Sequence, residues 1–319
     1  MADAGREAGR DRSLLALAGW RGRLSRVKGL ILALATLALL AFLLSRIDYR
    51  QVAAAFARIP PTAWFAAGLI ALALPLNLAT RWWFVLGQIG LGIPWRRCLL
   101  VLLGVHPLSV ASPSRVADAL RAYAFRRQGI VAPVLGGILA ERLLDVLVLA
   151  SAAALSAAWL GRGQLALAAG AGTFAVLLGL LLTPWLARLP RRSSWIGTLE
   201  RFAAAVAVFR HRPAAFAGAG SLTLLHWGLT ALMVLLLLRG TGAEIGYLQV
   251  STVLPLAVFV GLLPVTFGGI GTRDAAFVAL LAGTVEAPEC LAVSLLYTIF
   301  TYLPSALVGL PLTRRALDL

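Results

Sequence analysis

Three ionisable residues, Glu141, Arg142 and Asp145, interrupt an apolar run that extends over residues 131–160. Facing lipid, the three would together cost on the order of 8–10 kcal/mol on insertion scales, so they have to face protein or water. Glu141 and Asp145 are four residues apart and therefore project from the same side of a helix. Two kinds of chemistry fit them: ion pairs that hold helices together, or a site that binds a substrate or an ion.

Two further apolar segments are interrupted and carry charged residues just after the interruption. Both read Gly-x-x-Pro-x-[Ser/Thr], then small residues, then Arg and Asp; the first covers 104–118 and the second 261–274. Interrupted segments at corresponding places in two halves of a membrane protein are the best sequence indication of a transport site. The charged residues are Arg115 and Asp118 in the first segment and Arg273 and Asp274 in the second.

The residues around these charges predict two helix N-termini. Ser112 and Pro113 fit an N-cap followed by proline at the first helical position, and Thr272 fits the N-cap of the second helix. The glycines of the second segment allow a close approach of the backbone and expose amide donors. Open amides beside an arginine form an anion site, which here would suit a lipid phosphate.

We predict that these groups form one substrate-binding site. Its members are Arg81, Arg115, Asp118, Arg121, Glu141, Arg142, Asp145, Gly268, Gly269, Gly271, Arg273 and Asp274. The five arginines exceed the four carboxylates by one charge, which a bound phosphate would neutralise. A packing contact between helices is the alternative role for Gly268 and Gly269.

The composition indicates a membrane protein. Of the 319 residues, 60% are hydrophobic and 13% are charged, whereas soluble domains have about 25% charged residues. The apolar run 215–238 is long enough to cross a hydrocarbon core of about 30 Å. The basic residues behind the net charge of +16 lie in short blocks between apolar runs, as in cytoplasmic loops, which argues against nucleic acid as a partner.

We predict no cofactor, no metal site and no catalytic centre. Cys98 and Cys290 stand apart, as do the three histidines, so neither a disulfide framework nor a zinc site is indicated. The phosphate-binding pattern Gly-x-x-x-x-Gly-Lys-[Ser/Thr] does not occur in the sequence. These observations favour a protein that is not an enzyme.

Hydropathy and charge predict an all-α polytopic membrane protein of six to eight spans. Full spans are expected at 29–45, 63–86, 131–160, 165–187, 215–238 and 288–312. A basic cytoplasmic tail, residues 1–28, precedes the first span, for which a cleaved signal peptide is the alternative. The connector 188–214 has an amphipathic pattern that fits a helix on the cytoplasmic leaflet or a packed connector.

The positive-inside rule predicts two inverted halves, 29–160 and 165–312, with both termini cytoplasmic. All basic blocks face the cytoplasm when 98–127 and 249–284 are re-entrant helical hairpins that enter from opposite faces. Pro107 and Pro113 are expected to interrupt the first hairpin, and residues 264–271 the second. The alternative is a plain count of eight spans, which places the charged segment 113–130 on the outside.

Four stretches of the chain resemble one family of membrane proteins. They are Arg81-Trp82, the segment 113–123 that ends Arg121-Ala122-Tyr123, the Glu-Arg-Leu-Leu-Asp of 141–145, and 264–274 with its Gly-Gly-Ile-Gly-Thr-Arg-Asp. Over residues 29–312 the chain resembles the flippase-like family, the lysylphosphatidylglycerol synthase transmembrane region, in its standalone form. It departs from the family at Asp274, where a glutamate is more usual, and at Ala117, where a glycine is common.

The resemblance implies translocation of lipids between leaflets. In the family this region moves aminoacylated phospholipids made by an attached soluble synthase, and we expect no such synthase here because the sequence ends just after the last span. Other members accompany hopanoid or isoprenoid-linked glycolipid pathways, so the cargo is either an anionic phospholipid or a polyprenyl or hopanoid-type lipid. We expect a lipid transporter of the bacterial inner membrane, with membrane lipids and a lipid-modifying enzyme as partners. The alternatives are an intramembrane enzyme or an accessory subunit acting on a lipid-linked substrate.

Overall fold

The computed structural model describes residues 49–110, 116–186, 212–261 and 271–318, together with Leu34 and Leu37. Side chains are described throughout these ranges except at 109, 110, 116–118, 176 and 180–186. The predicted tail 1–28 lies outside the described residues, and so does most of the first span and of the connector 188–214.

Every regular element in the described ranges is a helix. The α-helices are α1 Tyr49–Arg58, α2 Pro61–Gln88, α3 Trp95–Val110, α4 Val116–Tyr123, α5 Val131–Trp159, α6 Gly163–Leu186, α7 Pro213–Gly240, α8 Tyr247–Gly261, α9 Thr272–Leu281, α10 Ala287–Gly309 and α11 Thr313–Leu317. Short 3-10 turns occur at Arg126–Gln128 and Leu310–Leu312.

Among the described residues, three helical segments are long and apolar enough to cross a membrane: Pro61–Gln88, Pro213–Gly240 and Ala287–Leu317. They contain the predicted spans 63–86, 215–238 and 288–312. Helix α5 has 29 residues, or about 43 Å, and α6 has 24, so both match predicted spans in length, although α5 carries the three charges. The prediction of an all-α membrane protein is confirmed, and the number of spans stays a prediction.

Each interrupted segment contains two short helices that pack against each other, α3 with α4 and α8 with α9. One expected interruption is wrong, because Pro107 lies inside α3, which continues to Val110. A proline at this position removes the amide that would bond to the Leu103 carbonyl. Gly309 of α10 packs directly against that carbonyl oxygen. The neighbouring helix thus covers the backbone group that has lost its helical donor.

The start of α9 also differs from the prediction. Thr272 is the first helical residue, and Gly271 before it occupies the N-cap position with φ of 91°, a conformation that glycine adopts without steric cost. The Gly271 amide donates to Asp274 Oδ2 at 2.8 Å, as in a capping box. The carboxylate of Asp274 therefore caps this helix, and the Thr272 hydroxyl does not occupy the predicted N-cap position.

Helices α2 and α7 form an antiparallel pair. Gly240 at the end of α7 lies against Ile59, just before α2, and against Ala63 at the start of α2, whereas Gly218 near the start of α7 lies against Phe84 near the end of α2. Small side chains on α2 and glycines on α7 allow this close approach. Both helices have 28 residues, and both begin with a proline.

The two parts of the chain pack in corresponding ways. The interval in sequence from Pro61, which begins α2, to Trp95, which begins α3, equals the interval from Pro213, which begins α7, to Tyr247, which begins α8. Trp95 and Tyr247 each donate a side-chain hydrogen bond back to the preceding long helix. Helix α3 packs on α10 as α8 packs on α5, and α2 packs on α10 as α7 packs on α5. The two parts therefore share these sequence intervals, hydrogen bonds and helix contacts.

Candidate functional site

A buried arginine of α2 lies at the centre of the first group of polar residues. Arg81 Nε donates to Glu141 Oε1 at 3.3 Å, and its Nη1 and Nη2 donate to the two oxygens of Asp145 at 2.6 and 3.3 Å. Nη1 also donates to Thr223 Oγ1 of α7 at 3.2 Å. The fork of two bonds to Asp145 is the bidentate geometry that gives arginine–carboxylate pairs their strength. Arg81 therefore connects α2 with both α5 and α7.

Two more arginines pair with the same carboxylates. Arg121 Nη2 of α4 donates to Glu141 Oε2 at 2.9 Å, and its guanidinium carbon lies 4.2 Å from the centre of the Trp82 ring, in a cation–π contact. Arg142 Nη1 donates to Asp145 Oδ2 at 2.9 Å. The Arg142 side chain is 31% exposed, whereas the Glu141 side chain is fully buried.

These five residues form what we call the Arg81 group: Arg81, Arg121, Glu141, Arg142 and Asp145. The two carboxylates are one turn apart on α5, so a single guanidinium from α2 reaches both of them. Trp227 of α7 adds a further donor, with its Nε1 3.1 Å from Asp145 Oδ1. Removing one member of such a buried set leaves an uncompensated charge, which costs about 3–5 kcal/mol.

A second group lies where the start of α9 meets α10. Arg273 Nη2 donates to Asp274 Oδ1 at 3.1 Å and also to Thr298 Oγ1. Ser294 Oγ donates to the same oxygen of Asp274, and the guanidinium carbon of Arg273 lies 4.5 Å from the centre of the Tyr297 ring. We call Arg273, Asp274, Ser294, Tyr297 and Thr298 the Arg273 group.

The Arg273 group contains a donor that nothing in the described structure satisfies. Arg273 Nε is buried and has no hydrogen-bond partner among the described residues. A buried donor without an acceptor costs about 1–3 kcal/mol, and more when the group is charged. An oxygen atom of a bound ligand would satisfy it.

Hydrogen bonds and ion pairs between described side chains divide these residues into two separate groups. The two groups lie at corresponding positions along α5 and α10. Counted from the first residue of each helix, Thr298 occupies the same position in α10 as Arg142 does in α5. In the Arg273 group the cation comes from α9 and bonds to Thr298. An arginine therefore lies at the level of the twelfth residue of both helices. In α5 it is Arg142 itself, and at α10 it is Arg273 of α9, which bonds to Thr298.

Most of the chain, from residue 27 to residue 309, matches the profile of a family of membrane domains, the lysylphosphatidylglycerol synthase TM region. The chain belongs to this family. The match covers both arginine groups and every helix from α1 to α10, which confirms the family that the four sequence stretches suggest. No curated protein matches the chain.

In this member of the lysylphosphatidylglycerol synthase TM region family, the described residues of the predicted site fall into the two groups. Arg81, Arg121, Glu141, Arg142 and Asp145 meet in the Arg81 group, and Gly271, Arg273 and Asp274 meet at the start of α9. Arg115, Gly268 and Gly269 lie outside the described residues, as does the side chain of Asp118, whose backbone is part of α4. The charge balance of the complete predicted site therefore stays a prediction.

Four further polar partners are absent from the predicted site: Thr223 and Trp227 on α7, and Ser294 and Thr298 on α10. The two members of each pair are four residues apart and therefore share a helix face. Pairs of hydrogen-bonding side chains at this spacing in an apolar run indicate a face turned towards other helices. That spacing is the signal in the sequence that would find them.

The chemistry of both groups is that of arginines held in place by carboxylates, hydroxyls and aromatic rings. Within the described ranges, no three His, Cys, Asp or Glu side chains are close enough to share a metal ion. The groups that the structure presents to a ligand are guanidinium donors, which bind phosphate and carboxylate well.

Proposed function

We propose that this protein is a lipid transporter of the bacterial cytoplasmic membrane, which moves an anionic phospholipid or a polyprenyl or hopanoid-type lipid between the leaflets. The headgroup passes through a polar cavity between the two halves. Arginines contact its phosphate, and carboxylates hold the arginines in place. The protein moves its lipid without converting it chemically.

The position of Arg142 carries this proposal. It is the twelfth of the 29 residues of α5, close to the middle of a helix of spanning length. Its side chain is nevertheless partly exposed, and its Nη1 donates to Asp145 Oδ2. An arginine at this depth is costly unless it faces water, protein or an anion. The phosphate of a lipid is the anion that a membrane supplies most readily.

Arg273 supports the proposal as a second cation. Its Nε is buried without an acceptor among the described residues, although its Nη2 is bonded twice. A phosphate oxygen of a passing headgroup would satisfy this donor. Asp274 and Thr298 fix the guanidinium from the other side, so the cation is already oriented before a lipid arrives.

Two inverted halves are part of the proposal. The antiparallel course of α2 and α7, their equal length, and the matching packing of α3 on α10 and of α8 on α5 support such a repeat. An inverted repeat lets a transporter open to either face around one central site. In this arrangement α3–α4 and α8–α9 are the re-entrant hairpins, and both termini are cytoplasmic.

The ion pairs explain how the site can be both charged and stable in the proposed mechanism. When no lipid is bound, the carboxylates of Glu141, Asp145 and Asp274 compensate three of the four arginines in the two groups, so one positive charge remains for a phosphate to neutralise. When a headgroup enters, the arginines neutralise its phosphate and lower the free energy of the headgroup at the bilayer centre. The carboxylates keep the guanidinium groups in position throughout.

Leaflet exchange in reconstituted vesicles tests this function. We expect Arg142→Gln to slow the exchange of fluorescent phosphatidylglycerol by about tenfold or more, because a hydrogen bond to a charged group contributes about 1.5–3 kcal/mol. Exchange is measured from the fraction of label that an added, impermeant reductant reaches over time.

The matched control is Arg315→Gln, which removes the same charge from an exposed position on α11. This variant should exchange lipid at the rate of the unmodified protein. Equal rates for Arg142→Gln and the unmodified protein, or rates no higher than in protein-free vesicles for both, would contradict the proposal.

A further inference from the structure

Two apolar crevices open on the outside of the helix bundle. Crevice A lies between α5, α7 and α8 and has a volume of about 310 Å³, and crevice B lies between α10, α2 and α3 and has about 230 Å³. Exposed apolar side chains form their rims, such as Leu155 and Leu224 at crevice A and Leu72 and Val308 at crevice B. In a membrane these rims meet hydrocarbon chains.

The same positions of the repeated arrangement line both crevices. Counted from the first residue of each helix, Trp227 of crevice A occupies the position in α7 that Pro75 of crevice B occupies in α2. Val308 of crevice B and Ala152 of crevice A correspond in the same way in α10 and α5. Eight of the nine residues that line crevice B have such a counterpart in crevice A. One kind of site is therefore present twice.

Both crevices lie near the middle of the two long helices, since residues 224–231 of α7 line crevice A and residues 71–76 of α2 line crevice B. Crevice A lies between α7 and α8, which are joined beyond Gly240, and crevice B lies between α2 and α3, which are joined beyond Gln88. Because α2 and α7 are antiparallel, these two connections are at opposite ends. The crevices themselves are at about the same level, because Gly240 lies against Ala63 and Gly218 against Phe84.

One side chain connects crevice A with the Arg81 group. The ring of Trp227 lines the crevice, and its Nε1 donates to one oxygen of Asp145. Arg142 donates to the other oxygen of the same carboxylate. Along α5, Arg142 precedes Val148 of the crevice by six residues, or about 9 Å of helix.

Crevice B has the same relation to the Arg273 group. Thr298, which accepts a hydrogen bond from Arg273, precedes Pro304 of the crevice by six residues, or about 9 Å along α10. The same separation along the helix thus joins crevice A to Arg142 and crevice B to Thr298, the hydrogen-bond partner of Arg273. A lipid with its chain in the crevice and its phosphate towards the arginine would fit this pattern.

We propose that each crevice binds one acyl chain of an anionic phospholipid, whose phosphate lies towards Arg142 at crevice A and towards Arg273 at crevice B. This assignment rests on the proposed function and selects a phospholipid among its candidate cargoes. Sites for whole ligands have about 300–1,000 Å³. The two crevices are at or below the lower limit, so each accommodates part of a lipid, such as one chain, and not the whole molecule.

Photocrosslinking of lipid to the full chain tests the assignment. The protein is placed in nanodiscs that contain phosphatidylglycerol with a diazirine in one acyl chain, and labelled peptides are identified by mass spectrometry. We expect label in α7 and α8 beside crevice A and in α2 and α3 beside crevice B. Unlabelled phosphatidylglycerol should suppress this label about tenfold more effectively than phosphatidylcholine with the same chains, because the choline brings a second positive charge close to the arginine.

Three substitutions by phenylalanine separate the crevices from ordinary lipid contact. Ala152→Phe fills crevice A and Val308→Phe fills crevice B, so each should remove label from its own crevice alone. Ala158→Phe is the matched control, since it is exposed on α5 and does not line the crevice. Label that remains in both crevices after these two substitutions would overturn the assignment. Label at the exposed Phe174 of α6 as strong as the label in the crevices would also overturn it. A polyprenyl phosphate that competes better than phosphatidylglycerol would also overturn it.

The crosslinking result and the transport result are independent. Normal leaflet exchange without label in the crevices overturns the chain sites and leaves the transport function standing. Label in both crevices without any leaflet exchange overturns the transport function and leaves two phospholipid-binding sites.

Discussion

Arg81 bonds to Glu141 and Asp145 with one guanidinium and is only 1% exposed. Since water does not reach the group, solvation cannot replace a lost partner. Buried ion pairs add little net stability compared with a well-packed apolar core, but a pair with one member missing is strongly unfavourable. Glu141 and Asp145 can therefore remain charged in the interior because Arg81 of α2 bonds to both of them.

We therefore expect Arg81→Leu to lower the free energy of unfolding by about 3–5 kcal/mol. Thermal unfolding in detergent measures the effect as a lower Tm. Arg315→Gln, which removes an exposed arginine, should leave the Tm unchanged. A Tm for Arg81→Leu equal to that of the control would mean that Glu141 and Asp145 find other partners.

At the scale of the helices, the contact between α3 and α10 depends on the absence of a side chain. Pro107 leaves the Leu103 carbonyl without its helical donor, and Gly309 packs against that carbonyl. A Cβ atom at Gly309 would meet backbone, which cannot move aside as the end of a side chain can. This contact keeps α10 close to α3 at the level of crevice B.

We expect Gly309→Ala to destabilise the protein by about 1–3 kcal/mol, because added atoms in a packed interface force the helices apart. The matched control is Gly220→Ala on α7, where an added Cβ has no neighbour within 4 Å. That substitution should be neutral or stabilising by up to about 1 kcal/mol through helix propensity. Unfolding in detergent compares the two, and a smaller loss at Gly309 than at Gly220 would refute the close contact.

At the scale of the whole molecule, α2 and α7 are equivalent helices that run side by side in opposite directions. Their residue contacts show this directly, since the end of one lies against the start of the other at both ends of the pair. The remaining helices repeat the same packing around them.

The antiparallel pairing predicts a specific disulfide. An ideal Cβ at Gly240 lies 3.5 Å from the Cβ of Ala63, within the range of about 3.5–4.5 Å found in disulfides. With Cys98 and Cys290 replaced by alanine, Ala63→Cys combined with Gly240→Cys should crosslink on mild oxidation. The measurement is a mobility shift in denaturing gels that a reductant reverses.

The control combines Ala63→Cys with Gly220→Cys, which is about 30 Å of helix from Gly240. A parallel pairing of α2 and α7 would bring this second pair of cysteines close together. Crosslinking of the control pair in place of the first would therefore refute the antiparallel arrangement.

Hydropathy and charge predict the long helices and most members of the two groups, because both are properties of single segments. They do not predict that Arg81 pairs with Asp145, because the two residues are 64 positions apart and the contact depends on how α2, α5 and α7 pack. For the same reason no local pattern predicts that Arg273 lies in a separate group from Arg142. The cap of α9 differs from the prediction by one residue, because the sequence Gly-Thr-Arg-Asp fits a cap by threonine as well as one by aspartate.

The indole of Trp227 belongs to two environments at once, with its ring in an apolar crevice and its nitrogen on the Asp145 carboxylate. A ligand that contacts the Trp227 ring can therefore change the binding free energy of an anion near Arg81 and Arg142, because the indole is rigid and planar. Thermodynamic reciprocity then applies: if a hydrocarbon tail changes the affinity of the ionic centre for an anion by some factor, the anion changes the affinity for the tail by that same factor. Head and tail of one molecule would reinforce each other without any helix having to shift.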